Sequence, residues 1–183
     1  QKLAETPTRF HVENIPAGNA LLVPRVSSER RSYIPIGFIE SDSLGSDSAL
    51  MVPEATLYHF GVLQSRAHNA WMRSVAGRLE GRFRYSAGIV YNNFIWPQVT
   101  KDQECEIAER AQAVLEARQL YSDATIAQMY DPDHDWLYPE LTAAHHALDT
   151  AVEQAYGLEP GGDEKEIVDR LFRYYAKAMN RSA

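Results

Sequence analysis

The sequence predicts an α+β protein, with a mixed strand and helix part over residues 1–97 followed by a mainly α-helical part over residues 98–183. Three observations lead there. Up to Val52 the apolar residues come in runs of four to seven broken by Pro, Gly and Ser, the length and punctuation of strands. Beyond Pro97 they recur every three to four residues with charges between them, the period of helices buried on one side. Charge changes at the same place: 10 Lys and Arg stand against 8 Asp and Glu up to Pro97, a net +2, and 8 against 17 from Gln98 onward, a net −9.

The elements follow in order. Strand-type patterning runs from Phe10, with Ala20 to Val23 stopped by Pro24, then Tyr33 to Ile39, a turn-rich Ser41 to Ser48, and Ala49 to Val52. Pro35 confines its run to an edge or a bulge, because proline has no N–H for a ladder. Between Thr56 and Val75, Leu57, Phe60, Leu63, His68, Trp71, Met72 and Val75 fall at helical spacing and predict one long helix. Gly77 to Ser86 alternates charged with apolar side chains after a glycine, so it predicts a turn running into an exposed strand with Glu80, Arg82 and Arg84 on one face.

The second part has legible helix ends. Residues 102–120 carry acids early and Arg118 late, in the sense of the helix dipole. A short helix spans Ala124 to Tyr130, and Asp131-Pro132 ends it. Pro139 opens another, with Leu141, Ala144, His145, Leu148, Val152 and Ala155 as its stripe and Gly157 as a left-handed cap. Asp163 with Glu166 three residues on starts the last, which buries Ile167, Leu171, Tyr174 or Tyr175, and Ala178.

Composition removes whole classes of function. With 183 residues, 45% of them hydrophobic, the chain can bury one core or two small ones, and no run approaches the eighteen apolar residues of a membrane span. The first residues, beginning with Gln1, carry neither Met nor a secretory pattern and read as a cut inside a longer protein. A lone cysteine, Cys105, precludes an internal disulfide and fits a cytoplasmic protein. Cys105 also lies among acids with no nearby His or Lys to form a thiolate, which argues against a catalytic role.

The remaining candidates for chemistry are weak except one. His145, His146 and Asp149 lack a third ligand at metal spacing, so packing explains them better than zinc. Asp131 to Asp135 lacks the alternating ligands and closing Glu of a calcium loop and reads as a turn. Asn92-Asn93-Phe94 superficially resembles the Asn-Pro-Pro-aromatic motif of amino-group methyltransferases without its prolines, and no glycine-rich cofactor turn precedes it. The exception is the arginine content: nine of the ten cations up to Pro97 are Arg, and Arg66, Arg73, Arg78, Arg82 and Arg84 fall within nineteen residues with one acid, Glu80. Planar guanidinium forks suit phosphates and base edges. Ion pairing on an ordinary surface is the competing explanation.

In sequence, the blocks LVPRVSSERRSYIPIG (Leu22 to Gly37), HFGVLQS (His59 to Ser65), HNAW (His68 to Trp71), GRL (Gly77 to Leu79), RYS (Arg84 to Ser86) and YNNFIWP (Tyr91 to Pro97) resemble the C-terminal region of MmeI-like, type IIL DNA methyltransferase and restriction-modification proteins. Ala117-Arg118, MYDP (Met129 to Pro132), AHHALD (Ala144 to Asp149) and Ala155-Tyr156-Gly157 resemble their helical tail. The resemblance implies a parent that moves a methyl group from S-adenosylmethionine to adenine in a short DNA sequence, sometimes fused to a nuclease. Residues 1–97 would then be the later portion of its target recognition domain and residues 98–183 its acidic helical C-terminal subdomain. Double-stranded DNA and an upstream methyltransferase domain of the same chain would be the partners. By the same resemblance, Glu80 with Arg82 is the first candidate pair for a base, followed by Arg84 with Ser48 and Arg25 with Asp47. Arg30, Arg31, Arg66, Arg73 and Arg78 would be phosphate contacts or structural pairs. Trp71, Trp96 and Tyr91 are better explained as buried junction aromatics. A contrasting possibility is a protein-interaction module that docks its acidic helices on another chain. No catalytic residue, metal or cofactor is assigned to these 183 residues, and calorimetric titration with S-adenosylmethionine is expected to give no binding heat; a saturable signal would contradict this.

Overall fold

The computed structural model describes residues 18–41, 43 and 45–182; the patterning over residues 10–17 lies outside the described residues. Two small antiparallel sheets occupy the first part. In one, β1 (Ala20–Pro24) lies between β3 (Gly37–Ile39) and β4 (Ala49–Pro53), with Leu21 opposite both Phe38 and Val52. Only the end of the predicted Tyr33 to Ile39 strand forms. Pro35 cannot donate, Ile34 N–H donates to Asn69 Oδ1 at 2.8 Å, and pairing begins at Gly37 on a sheet edge.

The second sheet is β2 (Val26–Ser27), β6 (Arg82–Arg84) and β5 (Gly77–Leu79), in that order. Arg25 is where the chain passes between sheets. Its N–H donates to Ser48 O at 2.9 Å, extending the β1–β4 ladder, and its carbonyl accepts from Tyr85 N–H at 2.8 Å, extending the β2–β6 ladder.

The helix predicted from Thr56 to Val75 is two helices, α1 (Leu57–Gln64) and α2 (Arg66–Val75). Ser65 breaks it, in extended conformation, with its hydroxyl donating to Val62 O at 2.7 Å and accepting from His68 N–H at 3.4 Å. A serine that satisfies both the end of one helix and the start of the next offers the backbone an alternative to continuing. A single π-helical turn, Ala87–Tyr91, follows β6. The second part is α3 (Lys101–Gln119), α4 (Ile126–Met129), a 3₁₀ turn (Asp135–Leu137), α5 (Pro139–Ala155) and α6 (Glu164–Ser182). Thr100 and Gln103 form a reciprocal capping box at the start of α3, Pro139 occupies the first turn of α5, and Gly157 follows it at φ 66°.

One hydrophobic core runs through both parts. α3 packs on α1 and α5, and α2 packs on α6. Gly61 is the point of closest approach, since a Cβ there would meet Ile107 Cγ2 at 2.9 Å and Ala111 Cβ at 3.1 Å. Trp71 joins α2 to α6 through Phe172 and Tyr175, and its Nε1–H donates to Val90 O at 2.9 Å. Trp96 and Tyr91 are half-buried in an aromatic cluster with Tyr58, His59 and Phe94.

Buried titratable groups couple the fold to pH. His68 donates from Nδ1 to Leu63 O and meets Tyr85 Oη through Nε2; burial holds it down at about 4 against the pull of the Leu63 carbonyl. Burial, with Arg118 and His146 nearby, pushes His145 down to about 3. Burial raises Asp149 to about 6, against the bonds it accepts from Tyr33 and Arg66 N–H. The stability that the two histidines supply is present above their unfolded value of about 6.5 and is lost as pH falls toward 4 and 3. Asp149 acts oppositely, costing stability as pH rises from about 4 through 6. Two groups outweigh one. The free energy of unfolding is expected to fall by about 2 kcal/mol between pH 7 and pH 5 in urea titrations, and an unchanged value would mean that neither imidazole is held neutral by burial.

Candidate nucleic-acid interface

The charged residues singled out between 78 and 84 form a β-hairpin. Its two strands pair Gly77 with Arg84, Arg78 with Phe83 and Leu79 with Arg82, leaving Glu80 and Gly81 as a two-residue turn. This differs from the predicted turn followed by a strand: Gly77 to Leu79 is itself a strand, and Glu80 stands at the tip. Phe83 is buried while Arg82 and Arg84 are exposed, so alternation puts those two arginines on the outward face.

Magnitudes show what fixes this geometry. Glu80 has φ 56°, a left-handed conformation that costs a non-glycine residue about 1–2 kcal/mol. Its carboxylate accepts from Arg82 at 2.8 Å, with the two side chains 79% and 50% exposed. Exposed pairs contribute about 0.2–1 kcal/mol, so this one does not offset the strain. Burial of Phe83, about 2–3 kcal/mol, does. Arg78 reinforces it, lying 3.8 Å from the Phe83 ring centroid and donating to Gly81 O at 3.2 Å. The Glu80 carboxylate and the Arg82 guanidinium thus stand in solvent on a strained, well-anchored tip.

The remaining base-reading candidates lie beside it. Backbone bonds place Ser48 next to Arg25 and Arg25 next to Tyr85, which brings Asp47, Ser48, Arg25 and Arg84 to one junction of the two sheets. Arg25, Asp47, Ser48 and Arg84 are all exposed. Ser48 Oγ lies 2.5 Å from Ser46 Oγ.

The other arginines divide by what they touch. Arg66 pairs with buried Glu153 at 3.0 Å and donates to Gly162 O at 2.5 Å. Arg73 holds both Glu164 carboxylate oxygens, at 2.9 and 2.7 Å, and donates to Ser32 O. Arg30 pairs with Asp133 at 2.5 Å, both side chains being more than half exposed, and Arg31 donates to Ala127 O at 3.4 Å. Glu153, Glu164 and Asp133 all belong to the acidic half, three of its 17 Asp and Glu, and the first two hold arginines of the other half in part-buried pairs.

A buried polar network along this junction has no counterpart in the sequence-based expectations. Arg118 donates twice to Tyr130 Oη, at 3.0 and 2.6 Å, and once to Ile36 O at 2.8 Å. Both acceptor positions of the phenol are then filled, so its proton goes to His145 Nε2 at 2.6 Å and His145 carries its own proton on Nδ1. Tyr33 stacks on His145, with centroids 4.1 Å apart, and donates to Asp149 at 2.6 Å. The signal in the sequence is His145, Asp149 and Glu153 at i, i+4 and i+8, a polar line on a helix face that is otherwise apolar. Among the described residues no group of three His, Cys, Asp or Glu is placed to hold a metal, and no helix is long and apolar enough to cross a membrane. Asn93 donates its amide to Gly88 O and Ile89 O, and Phe94 is buried.

A packed scaffold that lifts charged side chains onto a hairpin tip, with a helical unit bracing it from behind, is the build of a recognition module. Comparison with known proteins gives the particular kind. A family profile described as MmeI, target recognition domain, matches residues 1–98, and one described as MmeI, C-terminal domain, matches residues 99–181. The chain belongs to the MmeI family. It is 36% identical over 180 residues to DNA methyltransferase A of Bacillus subtilis (strain 168), covering 98% of this chain and 20% of that protein. It superposes with a TM-score of 0.91 and 40% identity on the type IIL restriction-modification enzyme MmeI, solved in complex with DNA, covering 98% of this chain and 24% of that one. The chain therefore spans between a fifth and a quarter of the length of these relatives.

The two groups of arginines are separable by stability. Arg66→Ala leaves Glu153, 1% exposed, without its cation and is expected to cost about 2–3 kcal/mol in chemical denaturation. Arg84→Ala and Arg25→Ala are expected to stay within about 0.5 kcal/mol of the parent, and comparable losses at all three positions would contradict the division.

Proposed function

We propose that this chain is the sequence-reading unit of an adenine-specific DNA methyltransferase of the restriction-modification type, dependent on S-adenosylmethionine and cytoplasmic. Methyl transfer belongs to an upstream domain of the same polypeptide. The observation that carries this reading is the exposed Glu80–Arg82 pair at a strained hairpin tip. The major groove admits a two-stranded ribbon, and there Arg donates two bonds to guanine while Glu accepts from the cytosine amine. Adjacent donors and acceptors of this kind can read both members of one base pair. The mutual ion pair holds both groups ready in the absence of DNA and gives way at little cost, because it is exposed.

Arg84 with Ser48 and Arg25 with Asp47 are proposed as the second and third reading pairs, since the sheet junction places all four together. Arg30 and Arg31, on the turn after β2, are proposed as phosphate contacts, and Arg78 as a phosphate contact or hairpin brace. Arg66 and Arg73, bound to Glu153 and Glu164, are proposed to hold the scaffold. The division falls at residues 97 and 98, the recognition part lying before it and the helical brace after it. The contribution of this chain is to choose the sequence and orient the duplex.

In the whole methyltransferase, Glu80→Lys is expected to change the methylated sequence at one base pair while the methylation rate on the new site stays within a few-fold of the original. Sequencing of methylated DNA measures the first and single-turnover kinetics the second. Discrimination at that pair should change by roughly 5- to 150-fold, the range of one good base contact. An unchanged target sequence would make Glu80 structural. Arg30→Ala is expected to weaken binding evenly across sequences and to reduce the slope of log affinity against log salt by about 1; an unchanged slope would remove Arg30 from the phosphate contacts.

A further inference from the structure

Glu29 stands opposite the hairpin tip. The β2–β6 register pairs Val26 with Arg84 and Ser27 with Phe83, and continuing it two residues sets Glu29 across from Gly81. Side-chain geometry agrees. A Cβ built on Gly81 would lie 3.4 Å from Glu29 Oε1 and 3.5 Å from Oε2, so the carboxylate rests against the turn itself. The turn carrying Glu29 is held on both sides: Ser28 O accepts from Arg31 N–H, Ser28 Oγ accepts from Arg30 N–H, and Arg30 pairs with Asp133. The cations nearest in the hairpin are already engaged, Arg82 with Glu80 and Arg78 with Gly81 O and the Phe83 ring. Among the described residues Glu29 is exposed and forms no hydrogen bond or close ion pair, its one charged neighbour being Arg30, which is itself bound to Asp133.

An exposed carboxylate without a hydrogen-bond donor, held beside the tip of a ribbon that enters a groove between two rows of phosphates, raises the energy of every complex unless an N–H group meets it there. Base edges offer such groups in the exocyclic amines of cytosine and adenine. We propose that Glu29 is a further specificity-determining residue, accepting a hydrogen bond from a cytosine or adenine amine at a base pair next to the one met by Glu80 and Arg82. This rests on the reading of the hairpin as the DNA-facing element. Gly81 bounds the same spot, because a Cβ there would come into van der Waals contact with the carboxylate.

The test uses the whole methyltransferase and its Glu29→Gln and Glu80→Lys variants, with the methylated sites of each read by sequencing. Gln keeps the shape of Glu and adds a donor, so Glu29→Gln is expected to relax discrimination about tenfold or more at one base pair, different from the pair altered by Glu80→Lys. Circular dichroism of the variant is expected to match that of the parent. If Glu80→Lys shifts the site and Glu29→Gln does not, Glu29 is only a spacer against Gly81 and the proposal falls while the hairpin reading stands. If neither variant shifts it, the hairpin reading falls as well. Equal strengthening of binding to all duplexes by Glu29→Gln would mark the carboxylate as a repelling charge without a base partner, and would also overturn the proposal.

Discussion

The burial of Phe83 is the constraint on which the rest depends. Side chains on a strand alternate, so a slip of one residue in β5–β6 pairing would bring Arg82 and Arg84 inward and drive Phe83 into water. Two guanidinium groups in the core without partners cost far more than the roughly two to three kcal/mol of one aromatic ring. The register is therefore singular. Tyr85, buried one pleat further on and bonded to His68, fixes the other end of the strand. A left-handed Glu80 is tolerated because the strand behind it has nowhere else to go.

The helices of the second part act on this tip through the loop between β2 and β3. That loop has little regular structure of its own, yet Ile34 and Ile36 within it are fully buried. Its backbone and side chains are held from several directions: Asn69 and Arg118 bond Ile34 N–H and Ile36 O, Asp149 binds Tyr33, Arg73 binds Ser32 O, and Asp133 meets Arg30. Hydrogen bonds of this kind have a directionality that apolar packing lacks, although the buried Nδ1 of His145 and Nε of Arg31 have no partner among the described residues. Such rigidity suits a recognition element, since side chains that wait in place lose less freedom when they bind.

Much of the architecture was legible in the residues. Long helices with caps announced themselves: Pro139, Gly157 and Asp163 each mark an end through local backbone chemistry that tertiary contacts do not override, whereas the Thr100 cap of α3 was seen only in the structure. The division of Thr56 to Val75 was hidden because the apolar spacing persists across Ser65; the break comes from one hydroxyl serving two helix ends. Apolar content overstates the strand around Pro35, because it shows burial and not ladder pairing. In the site, residue types and exposure at 80, 82 and 84 followed from alternation, whereas the placement of Glu80 in the turn depends on the pairing of β5, which three exposed residues do not reveal. The fates of Arg66 and Arg73 were beyond sequence reasoning, since their carboxylates lie 87 and 91 residues away.

A photo-cross-linking residue at position 82, in the methyltransferase bound to a duplex containing its target, tests most directly whether this tip faces the bases. Adducts are expected at nucleotides inside the recognition sequence, and the same probe at exposed Glu109 on α3 is expected to give none. Adducts from position 109 with none from position 82 would contradict a DNA-facing hairpin.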